Sequence, residues 1–324
     1  MKKSLLFFIA ALTLILAACG GGTTSGSFPS KNIELVAPAT PGGGWDMTAR
    51  TIQKALQEND LVDQNVTVTN KPGGNGEVGW QYLSSKDAHT LAINSSLLIT
   101  NQLLGQSDLT YEDFTPLAIL STEWISVAVK TDSEFENAKE VMEQLKADPS
   151  SLNIAVAPGL GNNDHLAFVR AAKEFGVDVT KLNFMVYESG GDVVTALLGG
   201  HVDVATMAVS ESKEQHLAKK LRILAVTADK KIEGLEDVPT WTELGVDMVF
   251  PHWRGVMGPA NMTEEQIASW DASLKAVVES DTWKEVIANN GWTSFYKNSA
   301  ETKEFLAEQT KMYTELLTES GLVD

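Results

Sequence analysis

The sequence is poor in the residues that build disulfides and metal-dependent active sites. It has a single cysteine, Cys19, among 324 residues, so no intramolecular disulfide can form and the fold depends on core packing. Its five histidines lack the spacing of metal ligands, and the chain has no His-Glu-x-x-His, Gly-x-Ser-x-Gly or Cys-x-x-Cys motif and no phosphate loop with a lysine. We therefore predict no metal, no cofactor and no catalytic residues.

Positive charge is also scarce. The chain has 25 lysines and arginines against 43 acidic residues, a formal net charge of −18. Nucleic-acid binding depends on the neutralisation of phosphates, and anionic membrane surfaces attract basic segments, so both are disfavoured as partners. An anionic ligand would need a site that is organised locally against the repulsive field of the whole protein.

The N-terminus has the pattern of a secretory signal. Lys2 and Lys3 precede an apolar run, residues 5–16, that is too short to span a bilayer comfortably, and Leu-Ala-Ala then leads to Cys19. This ending is typical of bacterial lipoproteins, in which the cysteine carries a diacylglyceryl group and becomes the new N-terminus. We predict a signal peptide over 1–18 and a lipid anchor on Cys19. An ordinary signal peptide with an incidental cysteine is the alternative.

These predictions place the mature protein outside the cytoplasm, anchored to the cell membrane on its periplasmic side or its outer face. Residues 19–27 are rich in glycine and serine and are expected to form a flexible tether. Loss of the signal removes two lysines and no acid, which changes the formal charge from −18 to −20. The remaining chain is long enough for one large or two medium domains.

Strand and helix signals alternate along this remaining chain, and the alternation restarts near the middle. Strands separated by helical segments indicate parallel sheets with helices on both faces, here as two similar α/β units. The C-terminal third is mostly helical, with periodic segments at 264–279, 283–289 and 302–317. The predicted strands are 33–37, 66–69, 91–93, 153–157, 184–187, 202–207 and 221–227.

The first candidate binding segment is a glycine-rich loop between a strand and a helix. Glycines there let the backbone approach a ligand, and the unpaired amides at a helix start favour a phosphate or carboxylate. A purely structural turn is the alternative. The candidate ligand contacts in this loop are Pro41, Gly42, Gly43, Gly44, Trp45 and Asp46.

Two further junctions of the same type lie in the second unit. Asn162 and Asn163 could cap a helix or donate to a ligand, and His165 is interpreted as a packed or capping residue rather than a ligand contact. Because open α/β sheets bind ligands at the carboxyl ends of their strands, these junctions are expected to line one site. The candidates are Gly159, Gly161, Asn162, Asn163, Gly190 and Gly191.

Arg254 is the most suggestive cation in the sequence. It lies in a short segment between Pro251 and Gly255, which indicates a loop or a crossing strand. A guanidinium matches a carboxylate with two parallel hydrogen bonds, so we predict that Arg254 faces the site and holds an acidic ligand. A surface arginine that pairs with one of the many acids is the alternative.

Four stretches in a fixed order resemble the solute-binding proteins of tripartite tricarboxylate transporters, and the resemblance runs from about residue 28 to the C-terminus. The first is Phe-Pro-Ser-Lys-Asn-Ile-Glu-Leu-Val-Ala-Pro at 28–38, which runs into Pro-Gly-Gly-Gly-Trp-Asp at 41–46. The second is Asn-Lys-Pro-Gly-Gly at 70–74 with Gly76 and Gly79. The third is Gly190-Gly191 with Ala-Leu-Leu-Gly-Gly-His-Val-Asp at 196–203, and the fourth is 221–227 with Val-Pro-Thr at 238–240.

The resemblance implies a two-lobed periplasmic-binding-protein fold of type II, with a ligand cleft between the lobes and two crossings of the hinge. The implied lobes are 28–126 with 250–324, and 127–249. It also implies a non-enzymatic receptor that binds a small organic acid through backbone amides of the glycine loops and delivers it to a two-component membrane permease. Carried over by position, Tyr187, Ser95 and Met207 would also line the cleft.

The resemblance narrows the ligand further. The segment Trp253-Arg254-Gly255 looks closer to the tricarboxylate-binding branch of that family, which favours a citrate-like ligand. Many members have a serine or threonine where this chain has Asn162 and Asn163, so the side-chain contacts of the second loop are left open.

Other functions remain open. The ligand could be a dicarboxylate, an acidic amino acid or an aromatic acid, and the bound form could be presented to a sensor kinase instead of a permease. An extracytoplasmic enzyme with Asp46 or Glu188 as its base is a further alternative, although no second catalytic partner stands at a recognisable spacing. We expect a monomer.

Overall fold

The computed structural model describes residues 28–319 and 321–323. The predicted signal peptide, the tether and the lipidation site at Cys19 lie outside these residues. The strands are β1 (Ile33–Ala37), β2 (Val66–Asn70), β3 (Thr90–Asn94), β4 (Thr115–Glu123), β5 (Ile125–Lys130), β6 (Asn153–Val156), β7 (Asn183–Val186), β8 (Val204–Ala208), β9 (Leu221–Val226), β10 (His252–Gly258) and β11 (Thr293–Lys297).

The helices cover both sheets and dominate the C-terminal third, as the sequence predicts. They are α1 (Gly44–Glu58), α2 (Glu77–Ser84), α3 (Leu97–Leu103), α4 (Ala138–Ala147), α5 (Asn163–Glu174), α6 (Gly190–Leu198), α7 (Val209–Leu217), α8 (Glu264–Glu279), α9 (Asp281–Asn290) and α10 (Ser299–Glu319). The prediction for α8 is confirmed in its bounds, because Thr263 and Gln266 form a capping box that marks its start clearly.

Two mixed sheets form the two lobes. The described strands give a six-stranded sheet in the order β11-β4-β10-β3-β1-β2 and a five-stranded sheet in the order β7-β6-β8-β5-β9. The strands β1, β2 and β3 pair in parallel, as do β6, β7 and β8. The expectation of wholly parallel sheets is wrong, because β10 and β11 are antiparallel to their neighbours in the first lobe and β5 is antiparallel to β8 and β9 in the second.

The antiparallel strands are the ones that carry the chain between the lobes. Trp124 alone separates β4 of the first sheet from β5 of the second, and the chain returns through residues 249–251 into β10. Thr227 links the two crossings, since its hydroxyl accepts from the Ile125 N–H at 3.0 Å and donates to the Phe250 carbonyl at 2.8 Å. The two strands of the hinge therefore lie side by side at the base of the cleft.

The predicted lobe boundaries differ from the observed ones by two residues at the first crossing. Ile125 and Ser126 pair with β8 and β9 of the second lobe, although the sequence placed the boundary after residue 126. Between residue 117 in β4 and residue 130 at the end of β5 there is no glycine or proline that would mark the crossing.

Tryptophans anchor the cores. Trp80, Trp270 and Trp283 are fully buried in the first lobe. Trp253 belongs to a second core that spans both lobes, and its indole N–H donates to the Tyr313 hydroxyl of α10 at 3.1 Å. The C-terminal helix thus supports the hinge from behind.

Candidate functional site

A cavity of about 260 Å³ lies between the lobes at the carboxyl ends of their parallel strands. It is smaller than the roughly 300–1,000 Å³ of drug-sized pockets, which limits it to a small ligand. The sequence-predicted residues that line it are Gly43, Gly44, Trp45, Ser95, Asn162, Gly190 and Arg254. The predicted residues that do not line it are Pro41, Gly42, Asp46, Gly159, Gly161, Asn163, Tyr187, Gly191 and Met207.

Asp46 stabilises the first glycine loop through hydrogen bonds and does not line the cavity. The Asp46 carboxylate accepts from the Gly42 N–H and Arg50 Nε at 2.9 Å each and from Asn70 Nδ2 at 2.8 Å. Burial alone would raise the pKa of this carboxyl, but the hydrogen bonds from Arg50, Gly42 and Asn70 together lower it. Pro41 and Gly42 form the exposed tip of the loop, and Gly42 has a φ of +93° that favours glycine.

We expect Asp46→Ala to lower the free energy of unfolding by roughly 2–3 kcal/mol, because hydrogen bonds to a charged group contribute about 1.5–3 kcal/mol each. Urea denaturation at pH 7 measures this, with the exposed Asp63→Ala as the matched control. The difference should shrink as pH falls below 3.8, the ordinary pKa, because a carboxyl with a lowered pKa loses its contribution as it becomes protonated. Equal stability of the two variants would contradict the anchoring role.

The start of α1 brings backbone amides to the cavity. Gly43 is the N-cap with extended backbone geometry, and no side chain caps the first turn. A Cβ at Gly44 would lie 2.7 Å from Nη2 of Arg254, so a glycine here lets the guanidinium approach the helix start. The amides and the positive end of the helix dipole therefore face the same space as Arg254.

The second glycine loop contacts the opposite lobe. A Cβ at Gly159 would lie 2.6 Å from Nδ2 of Asn75, and one at Gly161 would overlap the Leu104 side chain; Asn75 and Leu104 both belong to the first lobe. The structure therefore describes a closed cleft, in which Gly159 and Gly161 contact the opposite lobe and do not line the cavity. Sequence spacing alone cannot distinguish a glycine that meets a ligand from one that meets the other lobe.

The two asparagines of this loop, which the sequence left as helix caps or ligand contacts, have different roles in the structure. The Asn162 side chain caps α5 by accepting from the His165 N–H at 2.8 Å, and the residue also lines the cavity. The Asn163 amide donates to the Pro251 carbonyl at 3.3 Å and so supports the second crossing of the hinge. The His165 ring accepts from the Gly161 N–H at 3.1 Å and packs on Phe184, in line with its interpretation as a packed residue.

At the third glycine junction, Gly190–Gly191, the side chain of Glu211 occupies the space that was predicted for a ligand. A Cβ at Gly190 would overlap the carboxyl group of Glu211, so this glycine makes room for Glu211 at the start of α6. Gly191 is exposed on the outer surface, where a Cβ would meet nothing closer than Ser189 Oγ at 3.7 Å. The space beside this helix start is thus occupied by the carboxyl group of Glu211.

Two further predicted residues lie away from the cavity. Tyr187 lines a separate, shallow groove of the second lobe, and its N–H pairs with the Val156 carbonyl at the sheet edge. Met207 is fully buried in the core, and its carbonyl accepts from Ser126 Oγ at 3.0 Å. Both residues were carried over by position, which does not fix the direction of a side chain.

Arg254 lies at the base of the cavity, where both hinge strands meet. It is 7% exposed, and its guanidinium forms an ion pair with Glu123 of β4, which is 1% exposed. A second guanidinium nitrogen donates to His252 Nε2, so the neutral His252 ring carries its proton on Nδ1. Burial, followed by the charge of Arg254, lowers the pKa of His252 to about 3. Ser210 of the second lobe donates to Glu123 at 2.7 Å.

Two more carboxyl groups surround this ion pair. Burial raises the pKa of Asp164 to about 8 despite the attraction of Arg254. Burial, with repulsion from Asp164 and Glu123, raises the pKa of Glu211 to about 8 as well. This group of carboxyl groups is hard to recognise in the sequence. Its one signal was Glu123, an isolated acid inside the apolar run of β4 and β5.

Three cavity-lining side chains have a buried N–H without a hydrogen-bond partner among the described residues. These groups are Nε1 of Trp45, Nδ1 of His252 and Nε of Arg254. An unpaired buried donor is costly, so three of them on residues that line one cavity favour a ligand that supplies hydrogen-bond acceptors. In residues 28–319 and 321–323 no group of three or more His, Cys, Asp or Glu side chains could hold a metal, and no helix is long and apolar enough to cross a membrane.

Two α/β lobes that are joined by two crossings and enclose a cavity define a periplasmic-binding-protein fold of type II, as the sequence predicts. Solved structures share it. An R. palustris protein with adipate has a TM-score of 0.82 at 22% identity, over 91% of this chain and 98% of that one. MatC from Rhodopseudomonas palustris with bound malate has a TM-score of 0.80 at 19% identity, over 90% and 100%. At these identities the likeness establishes the fold.

Sequence comparison establishes the family. A relative described as "UPF0065 protein in tcbD-tcbE intergenic region" from Pseudomonas sp. is 29% identical over 300 residues, which are 89% of this chain and 85% of the relative. The model of the family described as "Tripartite tricarboxylate transporter family receptor" matches residues 48–322. The chain therefore belongs to the receptors of the tripartite tricarboxylate transporter family, which confirms the resemblance seen in its motifs.

Proposed function

We propose that this protein is an extracytoplasmic receptor that binds a small carboxylate in the cavity between its lobes and delivers it to a two-component membrane permease. The observation that carries the proposal is the set of three unpaired N–H donors of Trp45, His252 and Arg254 at one cavity. A carboxylate is acceptor-only when ionised and offers several lone pairs, so it can satisfy these donors together with the uncapped amides of α1.

The charge of the cavity bears on the number of carboxylates in the ligand. The prediction of a citrate-like tricarboxylate depends on an Arg254 that is free to hold a third carboxylate, and it remains untested. Arg254 pairs with Glu123, and Glu188 also lines the cavity. We therefore favour a dicarboxylate, and the adipate and malate of the two structural neighbours are ligands of this class.

The structure bears on the alternative functions to different degrees. An enzyme with Asp46 as its base is disfavoured, because three hydrogen bonds occupy that carboxylate outside the cavity. Presentation of the bound form to a sensor kinase stays an alternative to transport, and a neighbouring pair of permease genes would favour transport. The anchor on Cys19 remains part of the proposal; membrane fractionation of wild type and Cys19→Ala tests it.

A thermal-shift comparison of malate, adipate, citrate and adipamide tests the proposal. A ligand at 100 times its dissociation constant stabilises the folded protein by about 2.7 kcal/mol, so we expect a clear rise in Tm with malate or adipate and a smaller one with citrate. Adipamide has the shape of adipate without its charge and should produce no shift. Stabilisation by adipamide equal to that by adipate, or no stabilisation by any of the acids, would refute a carboxylate receptor.

A further inference from the structure

Asp164 has an unusual position for an acidic residue. It stands in the first turn of α5, is 5% exposed and lines the cavity. Its Oδ2 accepts from Asn162 Nδ2 at 3.3 Å, whereas the buried Oδ1 has no hydrogen-bond partner among the described residues. Nδ1 of His252 lies 3.5 Å from Oδ1, which is too long for a hydrogen bond.

The charges around Asp164 do not balance if every acid is ionised. Glu123 on β4 and Glu211 on α7 are the other carboxyl groups of the cluster, and Arg254 on β10 is its one cation among the described residues. Glu123 already pairs with Arg254, and His252 is neutral because its Nε2 accepts from the guanidinium. Two carboxyl groups are left without a cation in a site where an isolated charge is costly.

Protonation removes this imbalance. The pKa values of Asp164 and Glu211 are both raised to about 8, chiefly by burial, so both groups are neutral at pH 7. A neutral carboxylic acid has an O–H donor that a carboxylate lacks. Because Oδ2 of Asp164 is used as an acceptor, its unpartnered Oδ1 is the oxygen that is free to carry the proton.

We propose that Asp164 binds the ligand as a neutral carboxylic acid, and that its Oδ1–H donates to a ligand carboxylate which also accepts from His252 Nδ1 and Arg254 Nε. This inference rests on the proposed function and identifies the residue that distinguishes an anion from a cation at this site. An ionised Asp164 would instead attract an ammonium group. The two unpaired donors beside it favour an anion, since a cation would leave both of them without an acceptor.

The arrangement couples binding to pH. The complex needs the proton on Asp164, so affinity is constant while the free protein holds that proton and falls as pH rises through about 8. At pH 9 about one molecule in ten retains the proton, which corresponds to an approximately tenfold weaker affinity from Asp164 alone. Glu211 titrates in the same range and adds a fall of the same sign. Malate and adipate stay fully ionised over this range.

Asp164→Asn tests the inference, because the amide presents an N–H where the acid presents its O–H and has no proton to lose. We expect the variant to bind malate or adipate within about threefold of wild type at pH 7. Between pH 7 and pH 9 the dissociation constant of wild type should rise about tenfold more than that of the variant. Asp164→Ala should bind at least tenfold more weakly at pH 7, and the exposed Asp192→Asn on the same lobe should behave as wild type. Isothermal calorimetry measures all four proteins.

A second measurement needs no ligand. The side-chain carboxyl ¹³C shifts of aspartate-labelled protein should include one resonance that titrates near pH 8 and is absent from Asp164→Asn. Titration of that resonance near pH 4 would overturn the inference.

The binding outcomes separate the inference from the proposed function. Identical pH profiles of wild type and Asp164→Asn, with both acids bound, would overturn the inference and leave the carboxylate receptor intact. Tighter binding of aspartate than of succinate, lost in Asp164→Asn, would show an ionised Asp164 that holds an ammonium group and would also overturn it. If neither malate nor adipate binds any variant, the proposed function itself fails, and the ligand-binding role of Asp164 with it.

Discussion

Arg254→Ala is expected to lower the free energy of unfolding by about 3–5 kcal/mol, because it leaves the buried carboxylate of Glu123 without its cation. Glu123 is 1% exposed and lies on one hinge strand, while Arg254 lies on the other. The loss therefore falls on the segment that joins the lobes. Binding of malate or adipate should be lost as well, since the variant also lacks the Nε donor at the cavity.

Urea denaturation at pH 7 measures the change, and two comparisons identify its cause. Lys31→Ala breaks an exposed ion pair with Asp87 and should cost at most about 1 kcal/mol. A double variant, Glu123→Leu with Arg254→Leu, should be less destabilised than Arg254→Ala, because replacing both partners of a buried pair by apolar residues avoids the uncompensated charge. If Arg254→Ala unfolds within 1 kcal/mol of wild type, the pair is not buried in solution.

The sequence predicted the fold class and part of the cavity wall for a local reason. A strand, a run of glycines and a helix follow one another within a few residues, so the start of α1 could be read from Gly43, Gly44 and Trp45 alone. The same local signals predicted the N-terminal half of each lobe. They also predicted wholly parallel sheets, since nothing near β5 or β10 records that these strands are entered from the opposite lobe.

The charged base of the cavity could not be predicted in this way. Glu123 and Arg254 are 131 positions apart and meet only because both hinge strands lie side by side. Asp164 is visible in the sequence as an ordinary acid in the first turn of a helix, where such residues are common. Its burial beside Glu123, His252 and Arg254 depends on the tertiary structure, which no local pattern encodes.

The glycines of the second loop also show that a local sequence pattern cannot predict tertiary contacts. Gly159 and Gly161 follow a strand and precede a helix, as Gly43 and Gly44 do, yet they contact Asn75 and Leu104 of the opposite lobe. Because these glycines have no side chain, the lobes can approach each other closely. Neither glycine lines the cavity. A glycine-rich junction therefore indicates that another group lies close to the backbone. Only the tertiary structure shows whether that group belongs to the cavity or to the opposite lobe.

Gly159→Val is accordingly expected to weaken binding of malate or adipate roughly 5- to 150-fold without altering any residue that lines the cavity. A Cβ at this position would lie 2.6 Å from Nδ2 and 2.7 Å from Oδ1 of Asn75, so the closed form becomes overpacked. Overpacking typically costs about 1–3 kcal/mol, and a cost confined to the closed state is subtracted from the free energy of binding. The open form has no such contact, so the unfolding transition of the ligand-free protein should stay cooperative.

Calorimetric dissociation constants measure the loss, and small-angle scattering shows whether the ligand still compacts the protein. Gly191→Val makes the same chemical change at an exposed glycine of the same lobe and should bind as wild type. Asn75→Gly should restore binding to Gly159→Val, because it removes the obstructing amide at a residue whose φ of +54° suits glycine. Wild-type affinity in Gly159→Val would mean that the bound state does not contain the Gly159–Asn75 contact. If Asn75→Gly does not restore binding, the valine acts through another part of the loop. Together the two variants test whether the ligand stabilises the closed form that contains the Gly159–Asn75 contact.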